Sequence, residues 1–100
     1  MYLTLLGTGC PSVDYKRCGS SNLVSTRHTK LLIDCGSGVT QRLNQAKVSS
    51  ANIDALILTH LHSDHVVDLY QLIISSWHSY KITPWKIYGP IGTKKFIKNI

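Results

Sequence analysis

An α/β layered sheet is the fold class this sequence predicts, and three observations predict it. The run Ala55-Leu56-Ile57-Leu58-Thr59 is almost wholly apolar, the pattern of a strand covered on both faces of a sheet. Segments with helical apolar spacing flank it, at Val39 to Lys47 and from His65 to about Trp77. Short β-rich runs come first in the chain and strand and helix alternate after them.

Taken in order, Tyr2 to Leu6 reads as a strand, stopped by Gly7-Thr8-Gly9-Cys10-Pro11, where glycine and proline end regular pairing. A polar loop through Cys18-Gly19-Ser20 leads to strands at Asn22 to Thr26 and Lys30 to Asp34, joined as a hairpin across Arg27-His28-Thr29-Lys30. Gly36-Ser37-Gly38 punctuates before the first helix, where Val39, Leu43 and Ala46 recur at helical spacing. In the second helix Val66, Leu69, Leu72, Ile73 and Trp77 form the apolar series, with Ser63 or Asp64 as the N-cap. Lys86-Ile87-Tyr88 is a short strand, and Thr93 to Ile100 a final helix with Phe96, Ile97 and Ile100 on one face.

The chain is basic, with 11 Lys and Arg against 5 acidic residues, all aspartate, for a net charge of +6. That balance favours anionic partners, nucleic acid among them. Lys94, Lys95 and Lys98 read as a solvated helix face. Cys10, Cys18 and Cys35 are odd in number and lack a CxxC spacing, which argues against a disulfide framework or a cysteine-based zinc finger and for reduced thiols. No apolar run approaches the roughly twenty residues of a membrane span. Met1 to Leu6 has neither a basic leader nor a small-residue cleavage site, so a cytoplasmic location is the expectation.

The chemistry concentrates at His60-Leu61-His62-Ser63-Asp64-His65, four ligand-type residues in six positions, a chance event on the order of one in ten thousand for a chain of this length. If the chain stays extended beyond the strand, His60, His62 and Asp64 project to one side and His65 to another. His60 and His62 can then close on one zinc, while Asp64 and His65, adjacent at the turn into the helix, are placed for a second ion about 3.5–4 Å away. Read singly, Asp64 would be an N-cap and each histidine a hydrogen-bonded side chain. Gathered at one strand end, they are costly to bury without a cation to pair with. Asp34 ends another strand and is expected to orient a histidine or the ligand loop, although Asp before Cys35-Gly36 is also an ordinary turn former. His28 and His78 read as surface residues. Manganese or iron would suit the same ligands as zinc.

The motif His60, His62, Asp64, His65 resembles the H-x-H-x-D-H signature of the metallo-β-lactamase superfamily. Leu6-Gly7-Thr8-Gly9, Leu32-Ile33-Asp34-Cys35-Gly36, Thr59 to His65 and Ile87-Tyr88-Gly89-Pro90 are together similar to its ribonuclease Z and arylsulfatase-like branch. The resemblance implies a four-layer αβ/βα sandwich, of which residues 1–100 would supply the N-terminal half as a partial domain, a mixed sheet with helices on one face. It also implies a hydrolase with a two-zinc site, Asp64 both binding metal and accepting a proton during attack. The later histidine, bridging aspartate and final histidine of the family have no match here, so they are expected from further chain or from another chain.

Within the branch two readings stand. Ile87-Tyr88-Gly89-Pro90, Gly92 and Lys94-Lys95-Phe96-Ile97 resemble ribonuclease Z, which implies phosphodiester cleavage in transfer RNA 3′ processing. Ser63 and Asp68 depart from its glycines, and Gly9-Cys10-Pro11 with Val67-Asp68 through Trp77 is closer to the arylsulfatase-like members, which implies sulfate ester hydrolysis. A metal-binding fragment without catalysis is the non-enzyme alternative. Members of the branch often dimerise, which makes a homodimer one assembly the resemblance allows, but no heptad or interface pattern marks it and the sequence itself is silent on the oligomer.

Overall fold

The pairing of five short strands sets the frame that carries the site. The computed structural model describes residues 1–99; Ile100, expected on the face of the last helix, lies outside the described residues. Strands β1 (Tyr2–Gly7), β2 (Ser21–Ser25), β3 (Lys30–Ile33), β4 (Ala55–Ile57) and β5 (Ile87–Tyr88) form one sheet in that order. The β1–β2 and β2–β3 pairs are antiparallel, and the β3–β4 and β4–β5 pairs are parallel. The mixed sheet is therefore a hairpin-led meander continued by two crossovers, through helices α1 (Val39–Gln45) and α2 (Leu69–His78). Helix α3 (Thr93–Lys98) follows β5.

The hairpin turn closes where Thr26 N–H donates to the Thr29 carbonyl at 2.8 Å and Thr26 Oγ1 accepts from Thr29 N–H at 3.0 Å. Asp54 then fixes the register of β4: its carboxylate accepts from Lys30 N–H at 2.7 Å and its own N–H donates to the Lys30 carbonyl at 2.8 Å.

Register sorts the side chains onto two faces. Leu23, Leu32 and Leu56 stand side by side across β2, β3 and β4 and are buried with Val39 and Leu43 of α1 and Leu69 and Leu72 of α2. Each such side chain contributes about 1.5–3 kcal/mol by leaving water. All the helices pack on this face, as the sequence leads one to expect. The opposite face is open among the described residues: Leu3 and Leu5 are 65% and 64% exposed, and Ile33 and Ile57, in register with each other, are half-buried. Ala55 to Thr59, expected to be covered on both faces, is covered by the helices on the face of Leu56 and Leu58, while Ile57 on the other face is half-buried.

Two helix ends differ from the sequence expectation. Helix α1 stops at Gln45, leaving Ala46 exposed, because Lys47 turns into the left-handed region with φ 61°. Helix α2 starts at Leu69 rather than His65; Ser63–His65 forms a separate 3-10 turn, and neither Ser63 nor Asp64 caps the α-helix. Asp68 occupies the cap position of α2, yet its carboxylate serves α1, accepting from Thr40 N–H at 2.8 Å and Thr40 Oγ1 at 2.6 Å. One carboxylate thus satisfies a first-turn donor of α1 while fixing α2 beside it. No helix among the described residues is long and apolar enough to cross a membrane.

Candidate metal centre

The site is assembled at the ends of β3 and β4, where two backbone devices hold the ligand loop. Asp34 leaves β3 with φ 61°, a conformation uncommon for a residue with a Cβ, and this turns its buried carboxylate across to the end of β4. The loop is then clamped from below: Cys35 N–H donates to the His65 carbonyl at 2.7 Å, and Asp68 N–H donates to the Cys35 carbonyl at 3.1 Å. Gly36 completes the clamp, since a Cβ there would lie 2.8 Å from the Asp64 carbonyl oxygen and 2.5 Å from Gly19 and Ser20 backbone atoms. Only glycine lets these three segments meet.

The Asp34 carboxylate organises what lies above it. Its Oδ1 accepts from Thr59 N–H at 2.8 Å, and its Oδ2 accepts from Thr59 Oγ1 and from His65 Nδ1, each at 2.8 Å. Asp34, expected to orient a histidine or the ligand loop, is placed in contact with His65. Thr59 Oγ1 also lies 2.9 Å from His60 Nδ1. A hydroxyl has one proton, and Thr59 gives it to Asp34, so the contact with His60 requires Nδ1–H to donate to Thr59 Oγ1. In both His60 and His65 the proton is placed on Nδ1 and the lone pair on Nε2, the arrangement of a metal-binding imidazole held by an outer partner. Sequence reasoning gave Thr59 no role; a hydroxyl before the first histidine was the signal that could have suggested one.

The rings gather. His60 and His62 have centroids 4.7 Å apart, and His60 and His65 only 4.0 Å apart. The expectation that His65 points away from the other three is corrected here: the 3-10 turn at Ser63–His65 folds it back toward His60. His65 Nε2 stands 3.3 Å from Asp64 Oδ2. With Nδ1 protonated, these are two acceptors face to face, which repel unless a proton or a cation stands between them. The spacing fits a cation: two ligand atoms at about 2.1 Å from a tetrahedral ion are separated by roughly 3.4 Å. Among the described residues, no three His, Cys, Asp or Glu side chains close around a single point. His60 lies nearer to His65 than to His62, Asp64 faces His65, and a closed tetrahedral site would need donors beyond any such pair.

The remaining candidates fall elsewhere. His28 is exposed in the hairpin turn, and His78 is exposed at the end of α2, edge-on to Trp77. Cys10 is exposed, Cys18 half-buried and Cys35 buried, all as free thiols. Burial, with the nearby Asp68 and Asp34 charges adding to it, pushes the Cys35 thiol far up. Lys94, Lys95 and Lys98 are exposed on α3.

A family described as "Anti-Pycsar protein Apyc1" matches residues 1–98. The chain belongs to this Apyc1 family. Its fold is that of the metallo-β-lactamases, in part: this Apyc1-family chain superposes on the metallo-β-lactamase fold protein YhfI of Bacillus subtilis with a TM-score of 0.83 and 27% identity, over 97% of this chain and 39% of that one. The short form of human tRNase Z gives a TM-score of 0.84 and 32% identity over 97% of this chain and 37% of that one. By sequence the chain is 45% identical over 101 residues to Ribonuclease Z of Mycolicibacterium gilvum, matching 98% of this chain. The chain spans about a third of the length of the curated relatives it matches, 35% of that one.

Proposed function

We propose that this Apyc1-family chain is the N-terminal, metal-binding part of a hydrolase that cleaves phosphodiesters, with RNA as substrate and transfer RNA 3′ processing as the reaction. The observation that carries the reading is the pair of imidazoles, His60 and His65, whose Nδ1 atoms are engaged by Thr59 and Asp34, beside His62 and Asp64. Similarity to Ribonuclease Z and to human tRNase Z supports phosphodiester chemistry over sulfate ester hydrolysis, and the net charge of +6 suits a polyanion.

In this reading His60 and His62 hold one zinc ion, and Asp64 and His65 a second. Divalent cations bound at such a loop supply water made acidic enough to ionise near pH 7 and positive charge against the phosphoryl oxygens. The chain's own residues do the rest. Asp34 keeps His65 in the tautomer that presents Nε2, and Thr59 does the same for His60. Asp64, on the turn between them, takes up the proton released from the attacking water. The cytoplasm is the proposed compartment, and a second copy of the chain a proposed partner.

The test uses the full-length protein with a precursor transfer RNA, bis(p-nitrophenyl) phosphate and an aryl sulfate side by side. Cleavage of the RNA at its 3′ side, lost in His62→Ala and Asp64→Ala together with bound zinc, is the expected result. Turnover of the aryl sulfate alone would overturn the phosphodiester reading, and full activity of either variant without metal would overturn the site.

A further inference from the structure

Helix α2 buries Leu69 and Leu72 against the sheet, while Trp77, placed by spacing in the same series, is 70% exposed, which corrects that expectation. Another side of the helix, carrying Gln71 and Ser75 one turn apart, looks across a groove at α1. There Gln41, Asn44 and Gln45 recur at the three- and four-residue spacing of a single helix face. The chain has three glutamines, and all three line this groove. Amide side chains serving only to keep the surface wet have no reason to gather so.

The walls of the groove are pinned to each other. Thr40 Oγ1 donates to Asp68 Oδ2 at 2.6 Å, and Ser50 Oγ donates to Ser75 Oγ at 3.2 Å. Two cavities of about 770 and 240 Å³ share Thr40, Asn44 and Ser75 and so form one cleft. The larger lies within the roughly 300–1,000 Å³ of small-molecule sites. Its ends differ in charge. Asp68 lines the larger cavity, and with Oδ2 taken by Thr40 its Oδ1 remains as an acceptor. Lys47, with the hydroxyls of Ser49 and Ser79, lines the smaller. Half-buried Val48 is the one apolar side chain among the lining residues, so nothing in the cleft calls for cover by further chain. The apolar surface that does call for cover is on the opposite face of the sheet, at Leu3 and Leu5.

We infer that the cleft between α1 and α2 binds a nucleotide with an amino-bearing base, at a site separate from the metal loop, none of whose ligand-type residues lines it. An amide that both donates and accepts matches the paired donor and acceptor on an adenine edge, and a carboxylate accepts from an exocyclic amine. Gln41 and Gln71 therefore hold the base from opposite walls, Asp68 Oδ1 takes its amine, and Lys47 with the serine hydroxyls takes the phosphate. The nucleotide is either free or one residue of an RNA strand.

Isothermal titration of the full-length protein with AMP, in a chelating buffer that keeps metal off the loop, is expected to show one site per chain. IMP, with a carbonyl in place of the amine, should bind at least about tenfold more weakly. Gln41→Leu and Gln71→Leu, both at exposed positions, should each raise the AMP dissociation constant at least about tenfold with an unchanged circular dichroism spectrum. Lys47→Ala should weaken AMP and leave adenosine unchanged. A short oligoadenylate separates the sources: tighter binding than AMP assigns the cleft to an RNA strand, equal or weaker binding to a free nucleotide. No binding of either at millimolar concentration would overturn the site, as would AMP and IMP binding alike and indifferently to both leucine variants. Because the titration needs no metal, neither result touches the hydrolase reading.

Discussion

Asp34 Oδ2 accepts the Nδ1 proton of His65 at 2.8 Å, and this contact joins the end of one strand to the fourth ligand-type residue of the loop after another. Because the same carboxylate also accepts twice from Thr59, it sets fold and site at once. Replacing Asp34 with Ala leaves a Thr59 amide, a hydroxyl and an imidazole without their acceptor, so a stability loss of about 2–4 kcal/mol is expected by urea unfolding. Zinc affinity should fall about 10- to 100-fold in the same variant. An unchanged zinc titration in folded Asp34→Ala would show that the carboxylate does not orient the site.

Thr59 gives a cleaner separation of the two histidines. Thr59→Val keeps the shape and removes the hydroxyl, so His60 loses the partner that fixes its tautomer while His65 keeps Asp34. The expected outcome is weaker binding of one zinc ion with the other retained, and recovery in Thr59→Ser, measured by calorimetric titration. Equal loss of both ions would contradict the pairing of ligands described above.

Asp68 should behave as a structural residue. Asp68→Ala removes the acceptor for Thr40 N–H and Oγ1 and is expected to cost about 1–2 kcal/mol with zinc stoichiometry unchanged. Loss of metal in that variant would move Asp68 into the site.

Cys35, fully buried with its thiol pushed up in pKa, should resist alkylation in the native protein while the exposed Cys10 reacts. The unfolded thiol ionises near its ordinary value of about 9.0 and the folded one does not. Above that pH the unfolded state binds fewer protons, so the stability contributed by Cys35 is complete below about pH 9 and falls as pH rises further. Mass spectrometry after iodoacetamide treatment, and urea midpoints for wild type and Cys35→Ala on either side of that pH, check both statements. Labelling of native Cys35 at the rate of Cys10 would refute them.

Much of the fold is legible in the sequence because its signals are local. Glycine and proline stops after Leu6, glycine punctuation at Gly36 to Gly38 and the apolar run into Thr59 each mark an element within a few residues of its observed position. The ligand loop is legible for the same reason, as four chemically distinctive residues in six. What escapes is what depends on partners distant in the chain. Asp68 caps a helix 28 positions away, so no local rule predicts that α2 begins there without a capping bond of its own. The left-handed turn at Asp34 is set by the reach to Thr59 and His65. Trp77 satisfies the periodicity of the buried series and still faces water, because periodicity fixes a direction only approximately and neighbours decide the rest.

The central claim is that His60 and His65 present bare Nε2 atoms to divalent cations because Thr59 and Asp34 hold their Nδ1 protons. Side-chain ¹⁵N spectra of the histidines, recorded with and without zinc in the full-length protein, test it most directly. The account predicts Nδ1–H tautomers for both rings, zinc-induced shifts at Nε2 of His60 and His65 and at a ring nitrogen of His62, with no change at His28 or His78. Nε2–H tautomers at His60 and His65, or spectra indifferent to zinc, would contradict it.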